Sequence, residues 1–145
     1  MLTALIVPVI QLRAHFTRAG EAIARVGGQT LAHWLVLESA ASQPVTVVQI
    51  ARQLGLTRQS VQRVADLLER DGLIEYVDNP EHQRSKLIRL TAGGQQTLRV
   101  IQAKQRAWAA RVGAEIGEVE LRHASRVVER LTRALTGGGA RKKSG

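Results

Sequence analysis

Residues 57–63 carry a run of side chains that can hydrogen-bond to nucleic acid. Arginine can form paired bonds to guanine, glutamine can do so to adenine, and serine or threonine hydroxyls can hold phosphate. These groups can recognise bases together only if one face of a helix presents them at the same time. The candidate residues are Thr57, Arg58, Gln59, Ser60, Gln62 and Arg63.

The surrounding pattern predicts such a helix from Arg58 to about Asp71, with Thr57 as its N-cap and Gly72 at its end. The candidate residues fall on its outer face, because apolar residues recur every three or four positions and form an inner face. These inner residues are Val61, Val64, Ala65 and Leu68. The acidic residues lie in the second half, away from the N-terminal turns that would enter a groove; they are Asp66, Glu69 and Asp71.

A shorter helix precedes this one. Thr46 and Gln49 fit a capping box, in which each side chain satisfies a free backbone amide at the start of the helix. Gly55 stands where a left-handed C-terminal cap is expected, and Thr57 follows two residues later. The apolar face of this helix consists of Ile50, Ala51 and Leu54. Two helices joined by a three-residue link predict a helix-turn-helix.

After Gly72 the apolar pattern changes from the period of a helix to that of a strand. Residues 73–77 and 86–90 read as strands, and the polar, turn-rich residues 78–85 separate them. The strands predict a hairpin, or wing, that carries two cationic side chains, Arg84 and Lys86. Residues 30–91 are therefore predicted to form a winged helix-turn-helix head. The expected fold class is mainly α with a small β-hairpin (α+β).

Long amphipathic helices are predicted on both sides of the winged head, from about Pro8 to Val26, from Thr91 to about Val112, and from about Glu118 onward. The apolar stripes of the first and last helices could fill an intramolecular core. Two such stripes at opposite ends of the chain favour a homodimer interface instead. The residues expected in that interface are Val9, Leu12, Phe16, Leu121, Val128 and Leu131.

These elements predict one winged-helix domain over residues 1–135. Within it, residues 1–29 and 92–135 are the expected dimerisation helices, with the DNA-binding head between them. Residues 136–145 are rich in glycine and basic side chains and have nothing to bury, so we expect a disordered basic tail there.

The ordered set of residues resembles the MarR family of winged-helix transcription regulators. The matching segments are Thr30–Trp34, Gln49–Val61, Leu67–Ile74, Asn79-Pro80, Arg84–Thr91 and Gly94. The resemblance implies a homodimer whose first, fifth and sixth helices form the interface, and whose two heads bind a pseudo-palindromic operator in double-stranded DNA. It also implies a repressor released by a small aromatic or phenolic effector. In this family the fourth helix enters the major groove, and Arg84 would enter the minor groove.

The wing departs from the family pattern at one point. The family usually has an aspartate two residues before the wing arginine, with an arginine between them, whereas this chain has His82 and Gln83. The resemblance further implies an effector pocket at the junction of the dimer helices and the head, where Arg13, His15, His33 and Trp34 fall. The alternative is that Trp34 is part of the core and that Arg13 is solvated.

The composition and motifs of the chain argue against several classes of function. The 145 residues carry a net charge of +9, and residues 92–145 contribute most of it, so charge adds little to the case for the head. No cysteine is present, which excludes disulfides and thiolate zinc sites, and the four histidines show no metal-binding spacing. We expect no cofactor, no metal and no enzyme activity, because phosphate-binding glycine loops and nucleophile elbows are missing. The apolar runs are too short to span a membrane, and a cytoplasmic protein is expected.

Two other functions remain open from sequence. A winged helix can serve as a protein-interaction module without a DNA target, although such modules usually lack arginine at both the recognition helix and the wing. A nucleoid-type binder could instead hold DNA through phosphate contacts from the basic C-terminal third, with affinity that hardly depends on sequence.

Overall fold

The computed structural model describes residues 1–137, which form two compact units, Met1–Gln105 and the residues from Arg106 onward. A short 3₁₀ helix leads into the regular elements, which are α1 (Ile6–Arg25), α2 (Leu31–Ser39), β1 (Val45–Thr46), α3 (Val47–Leu54), α4 (Arg58–Arg70), β2 (Ile74–Val77), β3 (Leu87–Leu90), α5 (Ala92–Ile116) and α6 (Glu118–Gly137). The boundary between the units falls within α5. The predicted fold class is confirmed.

The helix caps predicted from sequence are present in the structure. Thr46 Oγ1 accepts the backbone N–H of Gln49 at 3.1 Å, and the Gln49 side chain accepts the N–H of Thr46 at 2.9 Å, so the capping box is complete. Gly55 adopts the left-handed conformation with φ 66°, which ends α3 and turns the chain toward α4. Thr57 then caps α4 by accepting the N–H of Ser60 at 3.1 Å. These contacts fix the angle between the two helices of the helix-turn-helix.

The hairpin is part of a three-stranded antiparallel sheet in the order β1-β3-β2. Strand β3 pairs with β2 from Ile74↔Leu90 to Val77↔Leu87, and with β1 at Val45↔Ile88. Sequence patterning missed β1, because a strand of two residues is too short to show an alternation. Strand β1 leads directly into α3 and thereby attaches the wing to the helix-turn-helix.

The core of the first unit is aliphatic and contains side chains from nearly all its elements. The largest fully buried side chains are Leu37, Ile50, Leu68, Ile74, Ile88, Ile101, Val36 and Val61. Burial of one such side chain contributes about 1.5–3 kcal/mol, so these contacts hold α4 and the sheet in place. In α6, which belongs to the second unit, the described side chains are half-buried or exposed within the single chain.

Several helix ends differ from the predicted ones. Helix α1 begins at Ile6, so that Pro8 lies in its first turn, and α5 continues to Ile116, past the predicted end near Val112. Helix α6 includes Thr136 and Gly137, which the sequence assigned to the tail. The rest of that predicted tail, residues 138–145, lies outside the described residues. Within the described part of the chain, no helix is both long and apolar enough to cross a membrane.

Candidate nucleic-acid interface

Helix α4 is anchored on one side and exposed on the other. Val61, Ala65 and Leu68 are buried, and the helix packs against α2, α3 and β2. Its outer side chains are exposed because they lie opposite this apolar face; they are Arg58, Gln59, Gln62 and Arg63. This confirms the amphipathic pattern predicted for α4.

The exposed face of α4 and the wing (residues 74–90) enclose a cleft of about 540 Å³, which we name the helix–wing cleft. Its lining includes five side chains singled out from sequence, namely Arg58, Gln59, Gln62, Arg84 and Lys86. Sequence reasoning missed the other lining residues, which are Thr46, Val47, Val48, Tyr76 and Ser85. The cleft therefore combines three cationic side chains with two amides.

The remaining candidates of α4 lie beside this cleft or in the helix cap. Arg63 lines an adjoining depression of about 480 Å³ together with Gln59, Gln62, Asp66, Leu67 and Arg70. Thr57 and Ser60 hydrogen-bond to each other, since the Thr57 hydroxyl donates to Ser60 Oγ at 3.0 Å and Ser60 Oγ donates to the Thr57 carbonyl at 2.9 Å. In this structure their hydroxyls stabilise the start of α4.

Gln62 belongs to a three-residue hydrogen-bond cluster that the sequence did not reveal. Gln62 Nε2 donates to Asp66 Oδ1 at 2.8 Å and to Tyr76 Oη at 2.9 Å, and Tyr76 Oη donates to Asp66 Oδ1 at 2.7 Å. Burial, and then the hydrogen bond to Asp66, raise the pKa of Tyr76 above its ordinary value. Asp66 does lie in the second half of α4, as the sequence predicts, but its contact with Gln62 was not expected. Its spacing of four residues from Gln62 is the signal that could have predicted this contact.

An ion pair lies where the loop of the wing joins the ends of strands β2 and β3. Lys86 Nζ lies 2.6 Å from Asp78 Oδ1, and both side chains are largely exposed. The hydrogen bond from Lys86 holds the pKa of Asp78 below its ordinary value. Between them, Ser85 N–H donates to the His82 carbonyl at 3.1 Å, which closes a turn next to Arg84. This wing therefore carries an aspartate partner for Lys86, at a different position from the aspartate that the family usually has.

Similarity to known proteins identifies the family of this chain. A model described as the MarR family matches residues 28–85, which contain α2, α3, α4 and most of the wing. Uncharacterized proteins of Mycobacterium tuberculosis and Mycobacterium bovis are 42% identical to the chain over 97 residues, which is 67% of this chain and 68% of theirs. The chain belongs to the MarR family.

Solved structures of MarR-type transcription regulators show the same fold. One MarR family transcription regulator matches with a TM-score of 0.81 at 28% identity, over 97% of this chain and 93% of that chain. The Staphylococcus aureus MarR in complex with salicylate and kanamycin matches with a TM-score of 0.79 at 18% identity, over 93% and 92%. The Mycobacterium tuberculosis regulator MOSR in complex with DNA matches with a TM-score of 0.75 at 23% identity, over 90% and 94%.

The four residues expected in a MarR effector pocket make different local contacts. Trp34 is buried and its Nε1 donates to Glu38 Oε2 at 3.1 Å. His33 Nδ1 lies 3.0 Å from Gln29 Oε1. His15, exposed on α1, lies 3.2 Å from an Arg18 nitrogen, and Arg13 is exposed on the same helix. Neither cleft beside α4 includes any of the four.

The residues expected in a MarR dimer interface are accessible in the single chain. On α1 the exposed fractions are 54% for Val9, 52% for Leu12 and 54% for Phe16. On α6 Leu121 and Val128 are also exposed, and Leu131 is half-buried.

Among residues 1–137, no group of three His, Cys, Asp or Glu side chains could hold a metal ion.

Proposed function

We propose that this protein is a sequence-specific, double-stranded DNA-binding transcription regulator. The observation that carries the proposal is the helix–wing cleft, in which Arg58, Gln59 and Gln62 of α4 meet Arg84 and Lys86 of the wing. Arginine and glutamine are the side chains that form paired bonds with guanine and adenine in the major groove. MOSR, which has the same fold, was crystallised with DNA, and this supports the proposal.

The proposed docking places the N-terminal half of α4 in the major groove. Arg58, Gln59, Gln62 and Arg63 then face base edges, while Thr57 and Ser60 lie near a phosphate. Arg84 enters the adjacent minor groove, where a narrow groove concentrates negative potential and attracts arginine. Lys86 supplies a phosphate contact beside the wing loop.

A homodimer is part of the proposal. Exposed apolar side chains on α1, among them Val9 and Leu12, would otherwise face water. A two-fold dimer formed through α1, α5 and α6 would present two α4 helices to a pseudo-palindromic operator, with half-sites about 34 Å apart.

A ligand-responsive repressor is the finer form of this function. The S. aureus MarR, which shares the fold, was crystallised with salicylate, and this supports a small aromatic or phenolic effector. Arg13 is exposed and could pair with a carboxylate, while His15, His33 and Trp34 would line the site. Release of bound DNA by salicylate, reduced in Arg13→Ala and unchanged in the exposed-arginine control Arg99→Ala, would support this part. Equal release of DNA by salicylate from wild type, Arg13→Ala and Arg99→Ala would contradict the proposed effector site.

The main test is a fluorescence-anisotropy titration on DNA from upstream of the protein's own gene and on a scrambled duplex of equal length, at several salt concentrations. We expect a preference of at least about 10³-fold for the native fragment, with two protomers per site. Equal binding to both that fades steeply with salt would favour the nucleoid-type binder. No binding to either duplex at low salt would favour the protein-interaction module.

A further inference from the structure

Two glutamines on the same face of α4 differ in the hydrogen-bonding capacity that remains to them. Gln59 and Gln62 both line the helix–wing cleft. The Gln62 amide nitrogen has two hydrogens, and it donates to Asp66 at 2.8 Å and to Tyr76 at 2.9 Å. Both donors are therefore in use. Among residues 1–137, the Gln59 side chain makes no hydrogen bond, so its donor and acceptor groups are both available.

The orientation of the Gln62 amide follows from its partners. A carboxylate only accepts hydrogen bonds, so the nitrogen and not the oxygen of Gln62 must face Asp66. The single Tyr76 hydroxyl hydrogen is donated to Asp66 at 2.7 Å, which leaves Tyr76 Oη to accept from Gln62. Each member of the cluster thus fixes the direction of the next. The Gln62 oxygen is the group left for a ligand.

We propose that Gln62 is a specificity-determining residue that acts only as a hydrogen-bond acceptor and selects a base with an amino group in the major groove. This inference rests on the proposed function. In B-DNA the bases that offer such a donor there are adenine, through N6, and cytosine, through N4. Guanine and thymine present acceptor oxygens at the equivalent positions, and these oxygens repel the Gln62 oxygen.

The same geometry excludes a phosphate contact at Gln62. Phosphate oxygens carry no hydrogen to donate, and the Asp66 carboxylate beside Gln62 repels them. The usual paired recognition of adenine by glutamine is also unavailable, because it requires one glutamine N–H to bond to adenine N7. Gln62 therefore differs from Gln59, which keeps the capacity for the paired mode.

Tyr76 and Asp66 act through Gln62 and are positioning residues. In Tyr76→Phe one Gln62 N–H loses its acceptor and becomes free to donate to guanine O6 or thymine O4. We expect this variant to relax the discrimination against guanine and thymine at the one base position that Gln62 faces. A hydroxyl with a merely structural role would change overall affinity and leave the base preference as it was.

The experiment begins with selection of duplexes from a random pool by the full-length wild-type chain. Wild type, Gln62→Ala and the matched control Gln59→Ala are then titrated on every single base-pair substitution of the selected site. We expect adenine or cytosine to be favoured about 10-fold over guanine or thymine at one position per half-site. This preference disappears in Gln62→Ala and persists in Gln59→Ala.

Base analogues at that position test the acceptor mode itself. Removing the amino group, with purine in place of adenine or 2-pyrimidinone in place of cytosine, should weaken wild-type binding about 3- to 10-fold and leave Gln62→Ala unaffected. With adenine, 7-deazaadenine should change wild-type binding by less than about 2-fold, since N7 receives no hydrogen bond.

The outcomes separate this inference from the function on which it rests. If wild type selects no site, the proposed function fails and the inference fails with it. A selected site whose base preferences survive Gln62→Ala overturns the inference alone. A preference for guanine or thymine at the base that Gln62 faces would also overturn the inference. The same holds if 7-deazaadenine weakens wild-type binding as much as purine does.

Discussion

Tyr76 Oη donates a 2.7 Å hydrogen bond to Asp66 Oδ1, and this contact joins strand β2 of the wing to helix α4. The two residues are ten positions apart in sequence, and Gln62 Nε2 donates to both of them. One side of the helix–wing cleft is therefore closed by side-chain hydrogen bonds in addition to the backbone pairing of the sheet. The proposed simultaneous contact with both DNA grooves depends on the relative position of helix and wing, which these hydrogen bonds help to hold.

The first prediction concerns the pH dependence of stability. Burial and the Asp66 hydrogen bond raise the pKa of Tyr76 above its ordinary value of 10.0. The folded chain then holds this proton more tightly than the unfolded chain. The resulting stabilisation is fully present below about pH 10 and is lost as the pH rises above that value. We expect the free energy of unfolding, measured with urea, to fall less steeply above pH 10 in Tyr76→Phe than in wild type.

The chain contains one tyrosine, so phenolate absorbance in the ultraviolet reports the titration of Tyr76 alone. Asp66→Asn is the companion variant, since it keeps the side-chain size and removes the negative charge. Its phenol should titrate at lower pH than that of wild type. Identical titration curves for wild type and Asp66→Asn would show that the carboxylate does not hold the phenol proton.

The second prediction compares neighbouring glycines at the start of α5. The N–H of Gly94 donates to Thr91 Oγ1 at 3.0 Å, and the Thr91 hydroxyl donates to the Gly72 carbonyl at 2.6 Å, which brings the start of α5 against the chain before β2. A Cβ on Gly94 would overlap the carbonyl oxygen of Leu73. We expect Gly94→Ala to lower the free energy of unfolding by at least about 2 kcal/mol, because backbone has to move.

Gly93→Ala is the matched control for this substitution. The nearest atom to its added Cβ is 3.5 Å away, an ordinary van der Waals distance. Because alanine favours a helix more than glycine does, this variant should be unchanged or more stable by up to about 1 kcal/mol. Urea denaturation of wild type, Gly94→Ala and Gly93→Ala measures the three free energies of unfolding. Equal losses would mean that helix propensity, and not the close approach to Leu73, governs this site.

Much of this architecture could be predicted from local sequence signals. The Thr46–Gln49 capping box, the left-handed Gly55 and the Thr57 cap each act within a few residues, so composition and spacing suffice to find them. The outer face of α4 follows from its helical period in the same way. These signals located the three α4 residues that line the helix–wing cleft, namely Arg58, Gln59 and Gln62.

The missed features depend on contacts between distant segments. Strand β1 exists because Val45 pairs with Ile88, a partner that nothing near Val45 in sequence indicates. Tyr76 reaches Asp66 because β2 packs on α4, and an alternating strand pattern shows only that Tyr76 is half-buried.

The third prediction concerns the wing ion pair. Asp78 lies 2.6 Å from Lys86 and offsets its charge at the edge of the helix–wing cleft. Asp78→Asn should release Lys86 to contact phosphate, which raises affinity for any duplex and steepens the salt dependence by up to about one unit in the log–log slope. Anisotropy titrations over a salt series measure both quantities. In the double variant Asp78→Asn/Lys86→Ala both increases should disappear, whereas weaker DNA binding by Asp78→Asn would show that the pair braces the wing.

The last prediction tests the dimer. Val9 and Leu12 are about half exposed on α1 and follow helical spacing, so an aspartate at each position would put charge into an apolar interface. We expect wild type to sediment as a dimer at micromolar concentration and Val9→Asp/Leu12→Asp to sediment as a monomer with an unchanged circular-dichroism spectrum. Leu56→Asp, at an exposed apolar residue in the turn before α4, is the control and should remain dimeric. If the double variant stays dimeric, this part of α1 is not in the interface; if it becomes monomeric, operator affinity should also fall, because each half-site is then bound independently.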